Sequence, residues 1–178
     1  PHGRDLTLVT LVFAMHAFAS TGVAVRLVAH LHAAGASPEG AAAIAGVLGL
    51  AQVAGRLIAG PLRAVVGSRG RLPLLLGAQA AAVLSVTGVI GASTGAAVLV
   101  FGGANGLSTL ERATLVAERY GAVGYGETSG RIARVALAAR AGAPLAVGLL
   151  ETHAGLDGTF RALAAVLAAS AIAAASLT

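Results

Sequence analysis

Two arginines, Arg56 and Arg140, lie inside long apolar stretches of the chain. Arg140 follows Arg131 by nine residues and precedes Glu151 by eleven, which places it near the middle of its stretch. A guanidinium presents a planar fork of donors that fits a carboxylate or a phosphate. We predict that Arg140 binds a small anion or takes part in coupling or gating, with a structural ion pair as the alternative. The same alternatives hold for Arg56, whose side chain could also reach water at the nearer end of its stretch.

Polar residues at helical spacing accompany these arginines. Gln52 lies four residues before Arg56, so a helix would place both side chains on one wall of a cavity. Asn105, Thr109 and Arg112 follow the spacing i, i+4, i+7, which makes a polar stripe on one helix face. Such a stripe must face protein or water, because lipid leaves polar groups unsatisfied. We therefore predict that these residues contribute to a substrate site.

Glu111 and His16 are the candidates for proton coupling. Glu111 lies beside the polar stripe, and His16 lies within the first apolar stretch. The structural alternatives are an ion pair with an arginine for Glu111 and a hydrogen bond to a carbonyl group for His16. The chain has no Lys and no Cys, and it lacks the His-Glu-x-x-His, Gly-x-Ser-x-Gly and phosphate-loop patterns. We predict no enzyme activity, no cofactor and no metal site.

Composition indicates that the solvent of this chain is a lipid bilayer. Of its 178 residues, 57% are hydrophobic and 11% are charged, and the mean hydropathy is +0.86. A soluble domain has about 25% charged residues, because its surface is wetted. The net charge of +5 comes entirely from scattered arginines with few aromatic residues between them, so we predict no nucleic-acid binding.

The charge-free stretches predict an all-α integral membrane domain with six transmembrane helices. A crossing takes about 20 mostly apolar residues. Ser37, Pro38 and Glu39 have the residue types of a helix start. The 39 residues from Leu72 to Leu110 carry no charge and suit two crossings, with a break at residues 91–95. A polar turn is predicted at 151–158, and the six spans are about 6–32, 38–62, 72–90, 96–118, 127–150 and 159–178.

Arginines in the connections predict the orientation, because positively charged loops stay in the cytoplasm. One side holds Arg4, Arg63, Arg69, Arg71, Arg119 and Arg131, and the other side holds only Arg161. Both termini are therefore predicted to be cytoplasmic. Glycines recur within the spans and predict close helix packing, as at Gly46, Gly49, Gly55, Gly60, Gly102, Gly103 and Gly106.

The second and fifth spans share a feature that predicts two groups of three helices. Arg56 precedes Pro61 by five residues, and Arg140 precedes Pro144 by four. Corresponding proline-interrupted helices of inverted repeats are where transporters build their binding sites. We therefore predict a 3+3 inverted-repeat bundle.

The chain resembles the carboxy-terminal half, helices seven to twelve, of a major facilitator superfamily transporter over nearly all of its length. The residues that carry the resemblance are the loop Gly60-Pro61-Leu62-Arg63-Ala64-Val65-Val66-Gly67-Ser68-Arg69-Gly70-Arg71, the stretch Gly103-Ala104-Asn105-Gly106 and the segment Glu118-Arg119-Tyr120-Gly121. The loop matches the family's cytoplasmic motif at Gly60, Gly67, Arg69 and Arg71. It departs at Ala64, where the family has an acid that takes part in an ion pair, and at Val65.

The resemblance implies half of a twelve-helix secondary transporter that works by alternating access. The position of Arg56 looks most like the monocarboxylate and oxalate/formate branch, in which basic residues on helices eight and eleven contact the anion; Arg56 and Arg140 lie in those helices. The expected partners are an amino-terminal half or a second copy, a small solute and protons as the coupling ion in symport. Pro1 is not an initiator residue, so we expect a piece of a longer protein in a bacterial inner membrane. An oligomeric six-helix channel or a non-transporting membrane scaffold remains the alternative.

Overall fold

The described residues, 2–87 and 92–177 of a computed structural model, are helical almost throughout and contain no strand. The helices are α1 (His2–Ala33), α2 (Pro38–Leu57), α3 (Ala59–Val65), α4 (Ser68–Val86) and α5 (Ala92–Ala175). Three segments are long and apolar enough to cross a membrane: Gly3–Ala33, Pro38–Leu57 and Ser93–Ala175. The predicted all-α class is confirmed, and these helices fit the predicted bilayer environment.

Two glycines interrupt α5. Gly121 has φ 70° and ψ 176°, and Gly155 has φ 69° and ψ 179°. A side chain strongly disfavours this backbone region, which is why glycine occupies both positions. The breaks divide α5 into α5a (92–120), α5b (122–154) and α5c (156–175).

The beginning of α2 follows its sequence signal. Ser37 is the N-cap, and its hydroxyl oxygen accepts a hydrogen bond of 3.1 Å from the Gly40 amide. The predicted span 38–62 is too long, however, because α2 ends at Leu57 and a separate short helix follows. Pro61 has no N–H with which to reach the Leu57 carbonyl four residues before it, so the helix is weakened there.

The predicted boundaries of the third and fourth spans are also partly wrong. Helix α4 begins at Ser68, four residues before the predicted span. The prediction started at 72 because the charge-free stretch begins only after Arg69 and Arg71, which lie in the first turn of the helix. Its expected continuation to residues 88–90, together with Gly91 of the predicted break, lies outside the described residues, as do Pro1 and Thr178. Residues 92–95 of that break belong to α5.

Two longer connections predicted in the second half of the chain are single-residue breaks. The gap at 119–126 and the polar turn at 151–158 are helical except at Gly121 and Gly155. Near Gly155, the Thr152 hydroxyl donates to the Leu149 carbonyl of its own helix at 2.7 Å, whereas Glu151 pairs with Arg26 of α1. These side chains therefore did not require a loop.

Contacts between distant residues define two ends of the bundle. Arg119 contacts Asp5 at 2.7 Å and donates to the carbonyl of Leu177, so both described ends of the chain lie beside the Gly121 break. At the opposite end Arg26 pairs with Glu151 at 3.0 Å, next to the Gly155 break. We name these the Arg119 end and the Glu151 end.

Two apolar clusters fill the interior, one toward each end. The cluster toward the Glu151 end includes Val23, Leu27, Leu31, Val83, Phe101, Val147, Phe160 and Leu163. The cluster toward the Arg119 end includes Val9, Val12, Phe13, Leu72, Leu76, Val116, Ile132 and Ala174. We call the region between the two clusters the middle layer. The polar residues of the candidate site lie in it.

Close helix packing at glycine is confirmed where α2 crosses α5a. A Cβ atom added to Gly55 would contact the backbone of Gly103, and one added to Gly106 would contact the carbonyl of Gln52. A Cβ on Gly102 would lie 2.7 Å from the Cβ of Ala51. Among the other glycines named above, Gly46, Gly49 and Gly60 have no such neighbour within 4 Å among the described residues.

Candidate functional site

A small polar cavity lies in the middle layer, between α1 and two parts of α5. Its volume is about 150 Å³. It is lined by Phe13, His16, Ala17, Ser108, Thr109, Arg112, Ala136 and Arg140. Four of the residues predicted for the site, His16, Thr109, Arg112 and Arg140, thus meet in one place.

The two arginines reach this cavity from different parts of α5. Arg112 belongs to α5a and Arg140 to α5b, so the break at Gly121 is what returns the chain to the same depth. Neither guanidinium has an ion-pair partner among residues 2–87 and 92–177. No acidic side chain lines the cavity. The cavity is therefore positive and suits an anion.

His16 lines the cavity and takes part in a buried hydrogen-bond network. Its Nε2 lies 3.1 Å from Oε1 of Gln79, and Nε2 of Gln79 lies 3.1 Å from the Ser108 hydroxyl oxygen. Gln79 and Ser108 are both fully buried. The network joins α1, α4 and α5a at the depth of the two arginines.

Gln79 and Ser108 were not predicted from the sequence. Both lie in the charge-free stretch from Leu72 to Leu110, and Gln79 has only apolar residues three, four and seven positions away, so it belongs to no polar stripe. A search for uncharged polar residues in that stretch would have found Gln79, because an amide in an apolar helix must bond to protein.

The remaining members of the predicted stripe have separate positions. Asn105 is half-buried and its side chain lies beside the imidazole of His16. Gln52 is half-buried at the crossing of α2 and α5a, and Arg56 is exposed on α2. Neither Gln52 nor Arg56 lines the cavity of His16.

Glu111 does not line this cavity, although it was predicted as a coupling residue. It is buried and faces the Arg119 end, where it pairs with Arg71 at 3.0 Å and with Arg63 at 3.3 Å. Arg71 is itself buried and also donates to the carbonyl of Val66 at 3.2 Å. Glu111 therefore forms the ion pair of the structural alternative, and its role in proton coupling stays a prediction.

These contacts bear on the loop that carries the resemblance. Glu111, from α5a, pairs with two arginines of this segment, Arg63 directly before Ala64 and Arg71 at its end. Arg69 is exposed and lines a larger cavity of about 460 Å³ together with Arg71 and Arg119. Gly60 and Gly67 have open space around them.

At the Glu151 end a second histidine has a structural position. His30 is buried, its Nε2 lies 2.9 Å from the carbonyl of Val86, and its ring stacks on Phe160 at 4.2 Å. Its Nδ1 is 3.8 Å from a carboxylate oxygen of Asp157. These contacts join α1, α4 and α5c.

Comparison with protein-family models gave no match, and comparison with curated proteins gave no similar sequence.

Proposed function

We propose that this chain is half of a secondary active transporter that moves a small organic anion across a membrane by alternating access. The observation that carries the proposal is the cavity of His16, which Arg112 and Arg140 both line and which no acidic side chain lines among the described residues. Charged side chains at membrane depth are costly and mark substrate or ion pathways. An anion bound in the cavity would neutralise these two unpaired guanidiniums.

The fold supports this proposal through its alternation between two ends. We propose that α1, α2 with α3, α4, α5a, α5b and α5c act as six membrane-crossing segments that run alternately toward the Glu151 end and the Arg119 end. We propose that they form two groups of three related as inverted repeats, with Pro61 and Pro144 in the corresponding second helices. In this arrangement the cavity lies near the midplane, where transporters of this type bind substrate.

The exposure of Arg140 and Arg56 fits a cavity completed by another domain. Both side chains are exposed in the isolated bundle although they lie in apolar helices. We propose that an amino-terminal half or a second copy covers this face and that the solute binds between the two. The major facilitator resemblance implies the same arrangement.

Replacement of Arg140 tests the proposal. A hydrogen bond to a charged group contributes about 1.5–3 kcal/mol, so Arg140→Gln should weaken anion binding about ten- to a hundredfold. The measurement is uptake of radiolabelled formate, lactate, oxalate and phosphate by proteoliposomes that contain the complete transporter, with both halves or two copies of the chain. Arg134→Gln is the matched control, because Arg134 is an exposed arginine of α5b that does not line the cavity. Uptake that saturates equally well in both variants contradicts the proposed site.

Counterflow distinguishes a transporter from a channel. A transporter preloaded with unlabelled anion accumulates labelled anion transiently, whereas a channel gives flux that neither saturates nor shows counterflow. The proposal requires counterflow with at least one of the four anions, and its absence together with non-saturating flux would favour the channel.

A further inference from the structure

The hydrogen bonds around Gln79 determine where each hydrogen lies. The carbonyl of Leu75 can only accept, and it lies 3.2 Å from the side-chain nitrogen of Gln79. The Ser108 hydroxyl donates to the Ala104 carbonyl at 2.8 Å, so its oxygen accepts the second hydrogen of that nitrogen. The amide nitrogen therefore faces Leu75 and Ser108, and the amide oxygen faces His16.

This orientation selects one tautomer of His16. Because Oε1 of Gln79 can only accept, Nε2 of His16 must donate the 3.1 Å hydrogen bond. Neutral His16 then carries its hydrogen on Nε2, and the lone pair is on Nδ1. A histidine tautomer is set by the bond that the other ring nitrogen makes, so the partner of Nε2 decides which nitrogen is free to react.

The groups that face His16 are otherwise cationic or neutral. Arg112 of α5a and Arg140 of α5b repel a positive charge on the imidazole. Asn105 lies beside the ring, and the group from α4 that contacts it is the Gln79 amide. No acidic residue lines the cavity. A proton on Nδ1 would add a third positive charge to a site with two, whereas a bound anion would offset it.

We propose that Gln79 is a positioning residue that holds His16 as the Nε2–H tautomer, so that Nδ1 takes up and releases the coupling proton. The proton enters as a bond from H⁺ to the Nδ1 lone pair, giving a doubly protonated imidazolium, and leaves by the reverse step. The proton role rests on the proposed anion transport, whereas the tautomer does not. Anion and proton then bind cooperatively, since each reduces the electrostatic cost of the other.

A purely structural histidine would make the same hydrogen bond but would not change protonation when the cavity fills. The tautomer of His16 depends on Gln79, whereas its protonation state depends on a bound anion. Each property has its own measurement.

Nitrogen NMR of the full chain in lipid nanodiscs measures the tautomer. With ¹⁵N-labelled histidine the sequence contributes only five imidazoles, and His16→Gln identifies the signal of His16 by its loss. We expect a single Nε2–H form whose hydrogen exchanges slowly with water. Gln79→Met keeps the length of the side chain but cannot accept the bond, so the slowly exchanging hydrogen should be lost. Gln79→Glu keeps an acceptor and should retain it.

Ser85→Ala is the matched control for these variants. Ser85 also lies on α4, and its hydroxyl bonds to the Ala82 carbonyl of its own helix at 2.8 Å, outside the network. This variant should leave the His16 signal unchanged. A wild-type His16 with its hydrogen on Nδ1, or one that Gln79→Met leaves unchanged, would overturn the positioning role.

Addition of an anion tests the proton role. At a fixed pH near the midpoint of the His16 titration, formate, lactate, oxalate or phosphate should increase the protonated fraction in the wild type. In proteoliposomes Gln79→Met should flatten the pH profile of uptake while Gln79→Glu restores a pH dependence. If the tautomer depends on Gln79 but no anion changes the protonated fraction, the proton role is overturned. The Arg140→Gln uptake experiment then still decides the anion site by itself.

Discussion

Glu111 shows how burial determines the energetic role of a charged residue. Its carboxylate is shared by Arg71, which is also buried, and by Arg63, whose side chain is 40% exposed. Removal of one partner from a buried pair leaves an unpaired charge without water and is strongly destabilising. An exposed pair contributes much less because water screens it. The pair of Glu111 with Arg71 should therefore contribute more to the stability of the protein than its pair with Arg63.

Replacement of Glu111 should destabilise the protein far more than replacement of Arg63. We expect Glu111→Gln to cost about 3–5 kcal/mol, because Arg71 would remain buried without its partner. Arg63→Gln should cost about 0–1 kcal/mol, because the Arg71 pair stays in place. The measurement is thermal unfolding of the purified full chain in one detergent. Equal and small decreases in melting temperature would show that the Arg71 pair is not buried in solution.

Residue spacing predicted part of the site well. Thr109 and Arg112 share a helix face by their spacing, and the structure places both at the cavity with His16 and Arg140. Spacing could not predict which helix packs against each face of α5a. Glu111, one residue before Arg112, lines the larger cavity at the Arg119 end instead and pairs there with Arg71. Gln79 was missed because the residues at helical spacing from it are apolar, so that it forms no polar stripe like that of Thr109 and Arg112.

At the scale of helices, the start of α2, which a capping signal marks, was predicted correctly. The Ser37 cap works as predicted because it depends on hydrogen bonds within four residues. The breaks at Gly121 and Gly155 were predicted as connections of eight residues, since polar composition indicates a turn without giving its length. A single glycine with positive φ suffices, because polar side chains beside it find partners within the bundle, as Arg119 does with Asp5 and Glu151 does with Arg26.

The crossing of α2 and α5a depends on the absence of side chains. Gly55 faces the backbone of Gly103 directly, so a methyl group there must move the helices apart. Overpacking of this kind costs about 1–3 kcal/mol. Gly55→Ala should therefore lower the melting temperature. Gly49→Ala on the same helix meets nothing within 4 Å and should raise it slightly through helix propensity, by up to about 1 kcal/mol.

The comparison of these two variants isolates packing from propensity, since both replace glycine by alanine in α2. A decrease for both would indicate that the helix itself tolerates no change. An increase for both would contradict the close crossing of α2 with α5a.

For the whole molecule, the distribution of arginines and the alternation of the helices make a joint prediction about topology. The Arg119 end carries Arg63, Arg69, Arg71 and Arg119 beside the acids Asp5 and Glu111, whereas the Glu151 end carries Arg26 beside the acids Glu151 and Asp157. Positive residues in short loops stay in the cytoplasm. The Arg119 end is therefore expected to be cytoplasmic, and both described ends of the chain lie there with it.

The absence of cysteine from the sequence allows a direct measurement of this topology. Single cysteines at the exposed positions Ala34 and Ala154 should react with a membrane-impermeant maleimide on intact cells, because both lie toward the Glu151 end. Cysteines at the exposed positions Val65 and Val123 should react only after the cells are permeabilised. Reaction of all four from one side would contradict the alternation of the helices. Exchange of the two pairs would leave the fold intact and reverse only its orientation, which would show that the arginine bias does not direct insertion of this chain.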